Sequence, residues 1–317
     1  MNEQSAAAAA PAPALVPALV LVAHGASARV RLADDREVLA RAAGRELRCV
    51  CGDQVLCVHD ERHAQWQIRE VRPRSSALYR SNARGRAELV AANLTLLVVV
   101  LAPEPAPDLF LVDRYLAAAA SAGIDALLLA NKSEQPFAAA AREELAALAA
   151  AGCPIMYCSA ATGAGLAALR ARLRAAMVMF VGQSGVGKSS LLRQLVPGAA
   201  AAVGELLKGG EGRHTTSTAQ LYALPGGGAL IDSPGVRDFA PAPEVLDERT
   251  LGFSEIAQHG PQCRFADCRH LREPHCAVRE AAAAGLISPR RYESYRRLRR
   301  LFDQLKEKSE PRGRGRR

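Results

Sequence analysis

Hydrophobic and polar positions follow three rhythms along this chain. Between about residues 18 and 92 they alternate in short runs. Ala28, Val30 and Leu32 interleave with Ser27, Arg29 and Arg31, a period of two that predicts a half-buried strand. A second strand is expected over 47–51. Gly52-Asp53 then turns the chain into a third over 54–58. Short strands separated by turn residues predict a small β-barrel.

From residue 93 the rhythm becomes apolar runs alternating with amphipathic stretches. Strands are expected over 95–101, 126–130, 154–158 and 177–181, and helices over 108–122, 137–151, 165–175 and 188–195. A hairpin follows, with strands over 219–224 and 229–232 around the turn Pro225-Gly226-Gly227-Gly228. Strand–helix alternation of this kind predicts a mostly parallel sheet covered on both faces, with ligand loops at the carboxyl ends of its strands. The third rhythm begins near 241, where a Cys/His cluster precedes a charged helix expected from 290 to about 308. The expected organisation is a disordered Ala/Pro lead-in (1–17), a barrel domain (18–92), an α/β domain (93–240), and an α-helical module with a basic helix and tail (241–317).

Gly182-Gln183-Ser184-Gly185-Val186-Gly187-Lys188-Ser189 follows the apolar strand at 177–181 and opens a helix, the context a phosphate-binding loop requires. The glycines let backbone N–H groups approach phosphates, and the helix start adds a favourable dipole. Lys188 is placed for the β- and γ-phosphates and Ser189 for Mg²⁺. Asp232-Ser233-Pro234-Gly235 closes the hairpin. An aspartate there holds the Mg²⁺ shell, usually through water, and the Gly235 amide reaches the γ-phosphate. A Ser-Pro-Gly turn alone is a weak signal; its place after the phosphate loop strengthens it. Asn131-Lys132-Ser133-Glu134 resembles the guanine-recognition element of GTPases, in which an acid accepts from guanine N1–H and N2–H₂. Ser159-Ala160-Ala161 resembles the second base loop. Gly212-Arg213-His214-Thr215-Thr216-Ser217 lies between the phosphate loop and Asp232, where a switch threonine, Thr215 or Thr216, would complete the Mg²⁺ shell.

Cys263, Cys268, His270 and Cys276 put three thiolates and an imidazole within fourteen positions, a donor set suited to one closed, structural Zn²⁺. His275 is a rival imidazole; spacing favours His270. Cys49, Cys51, Cys57 and His59 also cluster, but alternating cysteines in strands are usually small core hydrophobes.

The formal charge is +9, unevenly spread. Residues 91–240 carry 11 basic and 11 acidic side chains, whereas 290–317 carry 12 and 4. Basic ends suit a polyanion such as RNA. Within the barrel region Arg62, Arg69, Arg72, Arg74, Arg80, Arg84 and Arg86 face Glu70 alone between 62 and 86, a stretch suited by charge to phosphates. Few aromatics accompany it, Trp66 and Tyr79 among them, so base stacking is not its main mode. The apolar stretch at 6–23 is broken by Pro11, Pro13 and Pro17 and preceded by Glu3 with no basic residue. That is no secretory signal. No membrane span is expected, and the thiols suit a reducing cytoplasm.

In chain order the motifs run base loop, second base loop, phosphate loop, switch threonine and DxxG, whereas ordinary GTPases begin with the phosphate loop. This permuted order between a barrel and a Cys-Cys-His-Cys module resembles the ribosome small-subunit-dependent GTPase A family, known as RsgA, YjeQ or EngC. The resemblance covers nearly all of the chain after about residue 18. It is specific in Gly-Arg-His-Thr-Thr, in Asp-Ser-Pro-Gly-Val, in the zinc spacing and in Arg291-Tyr292-Glu293-Ser294-Tyr295. Glu134 departs from the family's aspartate, and Asn93-Leu94-Thr95 from its frequent Asn-Val-Asp.

The resemblance implies a circularly permuted GTPase domain flanked by an OB-fold that contacts ribosomal RNA and by a zinc module. It further implies GTP hydrolysis during late assembly of the small ribosomal subunit by a cytoplasmic monomer. A GTP-gated RNA-binding scaffold with incidental hydrolysis is the other possibility. The implied GTP contacts are Asn131, Lys132, Glu134, Ser159, Ala160, Gly182 to Ser190 and Gly235. Mg²⁺ falls to Ser189 and Thr216. Lys188, His214, Thr216 and Asp232 are the expected catalytic set, and Zn²⁺ falls to Cys263, Cys268, His270 and Cys276. Val236 follows DxxG where many GTPases place glutamine, which leaves His214 as the internal candidate for ordering the attacking water.

Overall fold

The structure is a computed structural model that describes residues 14–44, 46–61, 63–82, 86–198, 219–233, 242 and 245–309. Strands β1 (Val16–His24), β2 (Ser27–Leu32), β3 (Glu37–Ala42), β4 (Gln54–Asp60) and β5 (Gln65–Val71) close a barrel. Its order is β1-β2-β3-β5-β4 and back to β1, with β3 and β5 parallel and the other neighbours antiparallel. Val20, Val30, Val55, Cys57 and Ile68 fill it. This five-stranded Greek-key closure is the OB arrangement.

Two features differ from expectation. β1 begins at Val16, inside the segment read as lead-in, and Pro17 lies opposite Leu56 of β4. Proline is tolerated at a strand's beginning because one missing N–H costs little there. No strand forms over 47–51. The buried Asp53 carboxylate accepts the Val50 N–H (2.8 Å) and takes both Nε and Nη2 of Arg74 (2.7 and 2.9 Å), folding this stretch into a turn. Cys49, Cys51 and Cys57 are buried, as core hydrophobes should be.

Strands β6 (Ala77–Ser81) and β7 (Ala87–Ala92) form a separate hairpin. Its Leu78 and Ala91 pack into the α/β core rather than the barrel. That core alternates β8 (Leu96–Leu101), α1 (Leu109–Ser121), β9 (Asp125–Ala130), α2 (Ala139–Ala150), β10 (Ile155–Tyr157), α3 (Leu166–Leu173), β11 (Met177–Val181) and α4 (Lys188–Leu195). The hairpin β12 (Gln220–Ala223) and β13 (Ala229–Asp232) follows. β10, β9, β8, β11 and β13 are parallel neighbours in that order. Along β8, Leu97, Val99 and Leu101 meet α1 and α2, while Leu96, Val98 and Val100 meet α3 and α4. A strand covered on both faces must be apolar throughout, which is why its sequence shows no alternation.

β12 pairs antiparallel with β1 at Val22–Gln220, so barrel and core share an 11-stranded sheet. Beyond the core lie α5 (Ser254–His259), a 3₁₀ turn (Gly260–Gln262), α6 (Ala277–Ala283) and α7 (Pro289–Ser309). They enclose a small core of Leu251, Phe253, Ile256, Val278, Tyr295 and Phe302. Among the described residues no helix is long and apolar enough to cross a membrane.

Candidate nucleotide site and metal centre

The loop between β11 and α4 is shaped by what surrounds it. At Gly182 (φ 135°) any Cβ would collide with the Val100 carbonyl, and at Gly187 (φ 95°) with the Asn131 side-chain amide. Only glycine fits these positions. Lys188 folds back over the loop and donates to the carbonyls of Gly182 and Gln183 (both 2.6 Å). Its ammonium thus lies against the loop just ahead of the α4 N-terminus, the kind of place that suits anionic oxygens.

Asn131, at the end of β9 and only 1% exposed, joins three loops. Its Nδ2 donates to the Val186 carbonyl (2.8 Å), and its Oδ1 accepts the Ala160 N–H (3.0 Å). Both base loops and the phosphate loop are therefore one unit. Beside them opens a cleft of about 560 Å³ lined by Asn131, Lys132, Glu134, Ala160, Gly187 and Ser190. The nearby Ser159 hydroxyl first, then Glu134's own backbone, hold the Glu134 carboxyl below its ordinary value. Glu134 is thus an exposed anion on the wall of the cleft, suited to accept two N–H groups. The buried Ser159 hydroxyl accepts the Thr162 N–H (3.0 Å) and shapes the second base loop, a side-chain role its place in the sequence does not show.

The segment 104–108 forms a further wall. Lys132 Nζ donates to the Glu104 carbonyl (2.6 Å). Gln183 accepts the Asp108 N–H through Oε1 (2.8 Å) and donates to the Ala106 carbonyl through Nε2 (3.2 Å). Asp108 in turn caps α1 by accepting from Phe110 N (3.0 Å) and Leu111 N (3.1 Å). Asp232 ends β13, which runs parallel beside β11, so it lies at the same end of the sheet as the phosphate loop. His214, Thr215, Thr216, Gly235 and Val236 lie outside the described residues.

Cys263, Cys268, His270 and Cys276 bring their ligand atoms within 4.8 Å of one another. His270 Nδ1 faces Cys263 Sγ (3.4 Å) and Cys276 Sγ (3.5 Å), and those two sulfurs are 3.8 Å apart. His275 is exposed and no part of the cluster. Burial pushes the Cys268 thiol up to about 12, with its neighbouring thiols adding to the rise. Burial also depresses the His270 imidazole, keeping it neutral. Three crowded thiols, those of Cys268 and Cys276 pushed up by burial, beside an imidazole held low form a set that one cation would satisfy by drawing off the thiol protons. The Glu273 carboxylate accepts the N–H groups of Arg269, Leu271 and Arg272 (2.9 Å each), fixing the loop that carries His270.

The metal module is clamped to the core by charge. Asp113 of α1, 2% exposed, accepts Arg290 Nη1 (2.6 Å) and Arg291 Nη1 (2.5 Å). Arg290 also reaches Glu144 of α2 (2.5 Å), and Arg291 holds Glu255 of α5 through Nε and Nη2 (2.7 and 2.8 Å). Arg297 lies over the Phe110 ring, 3.6 Å from its centroid.

A phosphate loop at the carboxyl edge of a parallel sheet, preceded in the chain by both base loops, defines a circularly permuted P-loop GTPase. Residues 71–241 match the family described as RsgA GTPase. The chain is 42% identical over 289 residues to the small ribosomal subunit biogenesis GTPase RsgA of Azotobacter vinelandii, spanning 88% of this chain and 84% of that protein. It is 40% identical over 283 residues to the protein of the same name from Pseudomonas aeruginosa, spanning 88% and 83%. The crystal structure of YjeQ from Thermotoga maritima superposes with a TM-score of 0.70 at 26% identity, over 95% of this chain and all of that one (100%). The fold of YloQ, a circularly permuted GTPase, matches with a TM-score of 0.68 at 22% identity, over 94% and 97%. This chain belongs to the RsgA GTPase family.

Proposed function

We propose that this chain hydrolyses GTP during biogenesis of the small ribosomal subunit, acting as a cytoplasmic monomer. The observation that carries the nucleotide chemistry is Asn131, whose one carboxamide ties the base-reading loops to the phosphate loop. Its relatives' names carry the ribosomal part.

GTP enters with guanine against Glu134 and Ala160 and its phosphates over Gly182 to Ser190. Lys188 neutralises charge growing on the β- and γ-phosphate oxygens, where most of the catalysis of phosphoryl transfer resides. Mg²⁺ would be held by the Ser189 and Thr216 hydroxyls, with Asp232 holding its water shell, and would supply positive charge against the charge developing in phosphoryl transfer. Gly235 senses the γ-phosphate. The Val236 side chain offers no hydrogen bond to a water, so His214 positions the nucleophile when the partner is bound.

The cluster of Cys263, Cys268, His270 and Cys276 holds one structural zinc. Tetrahedral bonds of about 2.3 Å to sulfur and about 2.0–2.1 Å to nitrogen set S–S edges near 3.8 Å and S–N edges near 3.5 Å. The observed edges are 3.8, 3.4 and 3.5 Å.

Ribosomal RNA meets the barrel at Arg48, Arg69 and Arg72, all exposed around a concavity of about 610 Å³ that Tyr79 also lines. Of the other arginines in that stretch, Arg74 is committed to Asp53 and Arg80 to Glu88. Arg86 is exposed, and Arg62 and Arg84 lie outside the described residues.

The deciding experiment is the GTPase rate with and without purified small subunits. Strong stimulation, lost in Lys188→Ala and sharply reduced in His214→Ala while GTP still binds, is expected. Equal rates with and without subunits would refute the ribosome-activated mechanism.

A further inference from the structure

Arg299 of α7 is among the largest fully buried side chains of the described residues, 1% exposed. Its Nη2 donates to the Glu248 carbonyl, and the Tyr295 hydroxyl lies 3.1 Å from the same nitrogen. Its guanidinium sits over the rings of Tyr295 and Phe302, 5.6 and 5.4 Å from their centroids. Nε and Nη1 are buried without an acceptor. The acids around it are engaged elsewhere: Glu248 with Lys306, Asp303 with Arg269, Glu255 with Arg291. Among the described residues no carboxylate lies within ion-pair distance of this arginine. A buried cation without a counter-charge is costly, so something else on the protein must balance it.

Tyr295 also adjoins the metal cluster. The Tyr295 ring is 6.0 Å from the His270 ring, and its hydroxyl donates to the Arg269 carbonyl (3.0 Å). The guanidinium and the imidazole therefore lie within about 12 Å of each other, through buried protein. A divalent ion held by three thiolates and a neutral imidazole carries one net negative charge.

We propose that Arg299 is the counter-charge of the metal centre: the anionic zinc–thiolate group balances a buried arginine that has no carboxylate, and the arginine in turn strengthens zinc binding. This rests on the assignment of zinc to Cys263, Cys268, His270 and Cys276. The two charges form one ion pair that assembles only when metal enters. Metal-free protein carries Arg299 as an uncompensated charge, and loaded protein does not. At a separation of at most about 12 Å and an effective dielectric near 20, the attraction is worth about tenfold or more in zinc affinity.

The test uses the full chain and competes Zn²⁺ against a chelator, with thermal unfolding followed with and without zinc. Arg299→Met and Arg299→Gln remove the charge, while Arg299→Lys keeps it. The neutral variants should bind zinc about tenfold more weakly, with metal-free protein no less stable than the parent; lysine should stay within about threefold. In a Cys263→His background, where the centre carries no net charge, Arg299→Gln should change zinc affinity less than about threefold. The counter-charge role is overturned if the neutral variants bind zinc as tightly as the parent. It is equally overturned if they destabilise free and loaded protein alike, or lose the same affinity in both backgrounds. A parent chain that binds no zinc removes the metal assignment itself, a separate failure.

Discussion

The barrel and the metal module are both attached to the α/β core, but by different forces. The barrel is joined mainly through backbone: β1 continues the core sheet at β12 and the Ala92 N–H reaches the Cys51 carbonyl (3.1 Å), with one side chain, the Asn93 amide Nδ2, donating to the Gly52 carbonyl (2.9 Å). The module is joined mainly through side chains, above all one buried aspartate between two arginines. A backbone joint spreads its strength over groups every residue possesses. A charge joint concentrates it in a few side chains, so losing one strands the others as buried charge.

The largest expected effect tests whether the module is an independent body. Cys268→Ser should abolish zinc retention and open the backbone of 254–288 to hydrogen exchange, because metal binding is folding energy for so small a core. Nucleotide affinity should change less than about threefold, since the phosphate and base loops bond to one another and not to the cluster. Full zinc occupancy in this variant would place the metal elsewhere.

Next comes the charge joint. Asp113→Ala should cost about 3–5 kcal/mol, because it leaves Arg290 and Arg291 buried with a partner missing. Denaturant unfolding measures it, and raised exchange in both α1 and α7 should accompany it. A loss below about 1 kcal/mol would mean that apolar contacts, not charge, hold the module.

Asp53→Ala makes the matching cut at the barrel. It removes the Arg74 pair and the Val50 turn, but Arg74 is 26% exposed and water can replace part of what is lost. A cost of about 1.5–3 kcal/mol is expected, with exchange rising at 47–53 while the β1–β12 pairing stays protected. A cost equal to that of Asp113→Ala would erase the distinction between the two joints.

The smallest effect belongs inside the core. Ser159→Ala removes the hydroxyl that holds the second base loop at Thr162 and keeps the Glu134 carboxyl low, and should weaken GTP binding about two- to fivefold, with a smaller change for ATP, whose base offers no matching donor pair. Equal losses for both nucleotides would count against Glu134 as the base reader.

The same contrast explains what could be read from the sequence. The core was legible because each motif is local: Gly182 to Ser189 follow one strand and start one helix, and strand–helix alternation fixes the layers. The Cys/His cluster was legible because its ligands lie close in sequence and its donor chemistry is distinctive. The barrel was only partly legible. β3 and β5 meet side by side although a strand separates them in sequence, and the stretch 47–51 has strand-like composition but is bent by the distant pair Asp53–Arg74. Asp113, Glu144, Glu255 and Arg299 carried no signal, because their partners are 36 to 178 residues away in sequence or are not single residues at all.

Because Asp113 divides its two oxygens between Arg290 and Arg291, the three positions act as a single unit. Anyone grafting residues 242–309 onto a relative's core would therefore be transplanting half of a lock. The graft should seat only if positions 113 and 144 travel with it, although neither lies within the grafted segment or near a motif. In this chain the border of the exchangeable part is drawn by charge rather than by sequence position.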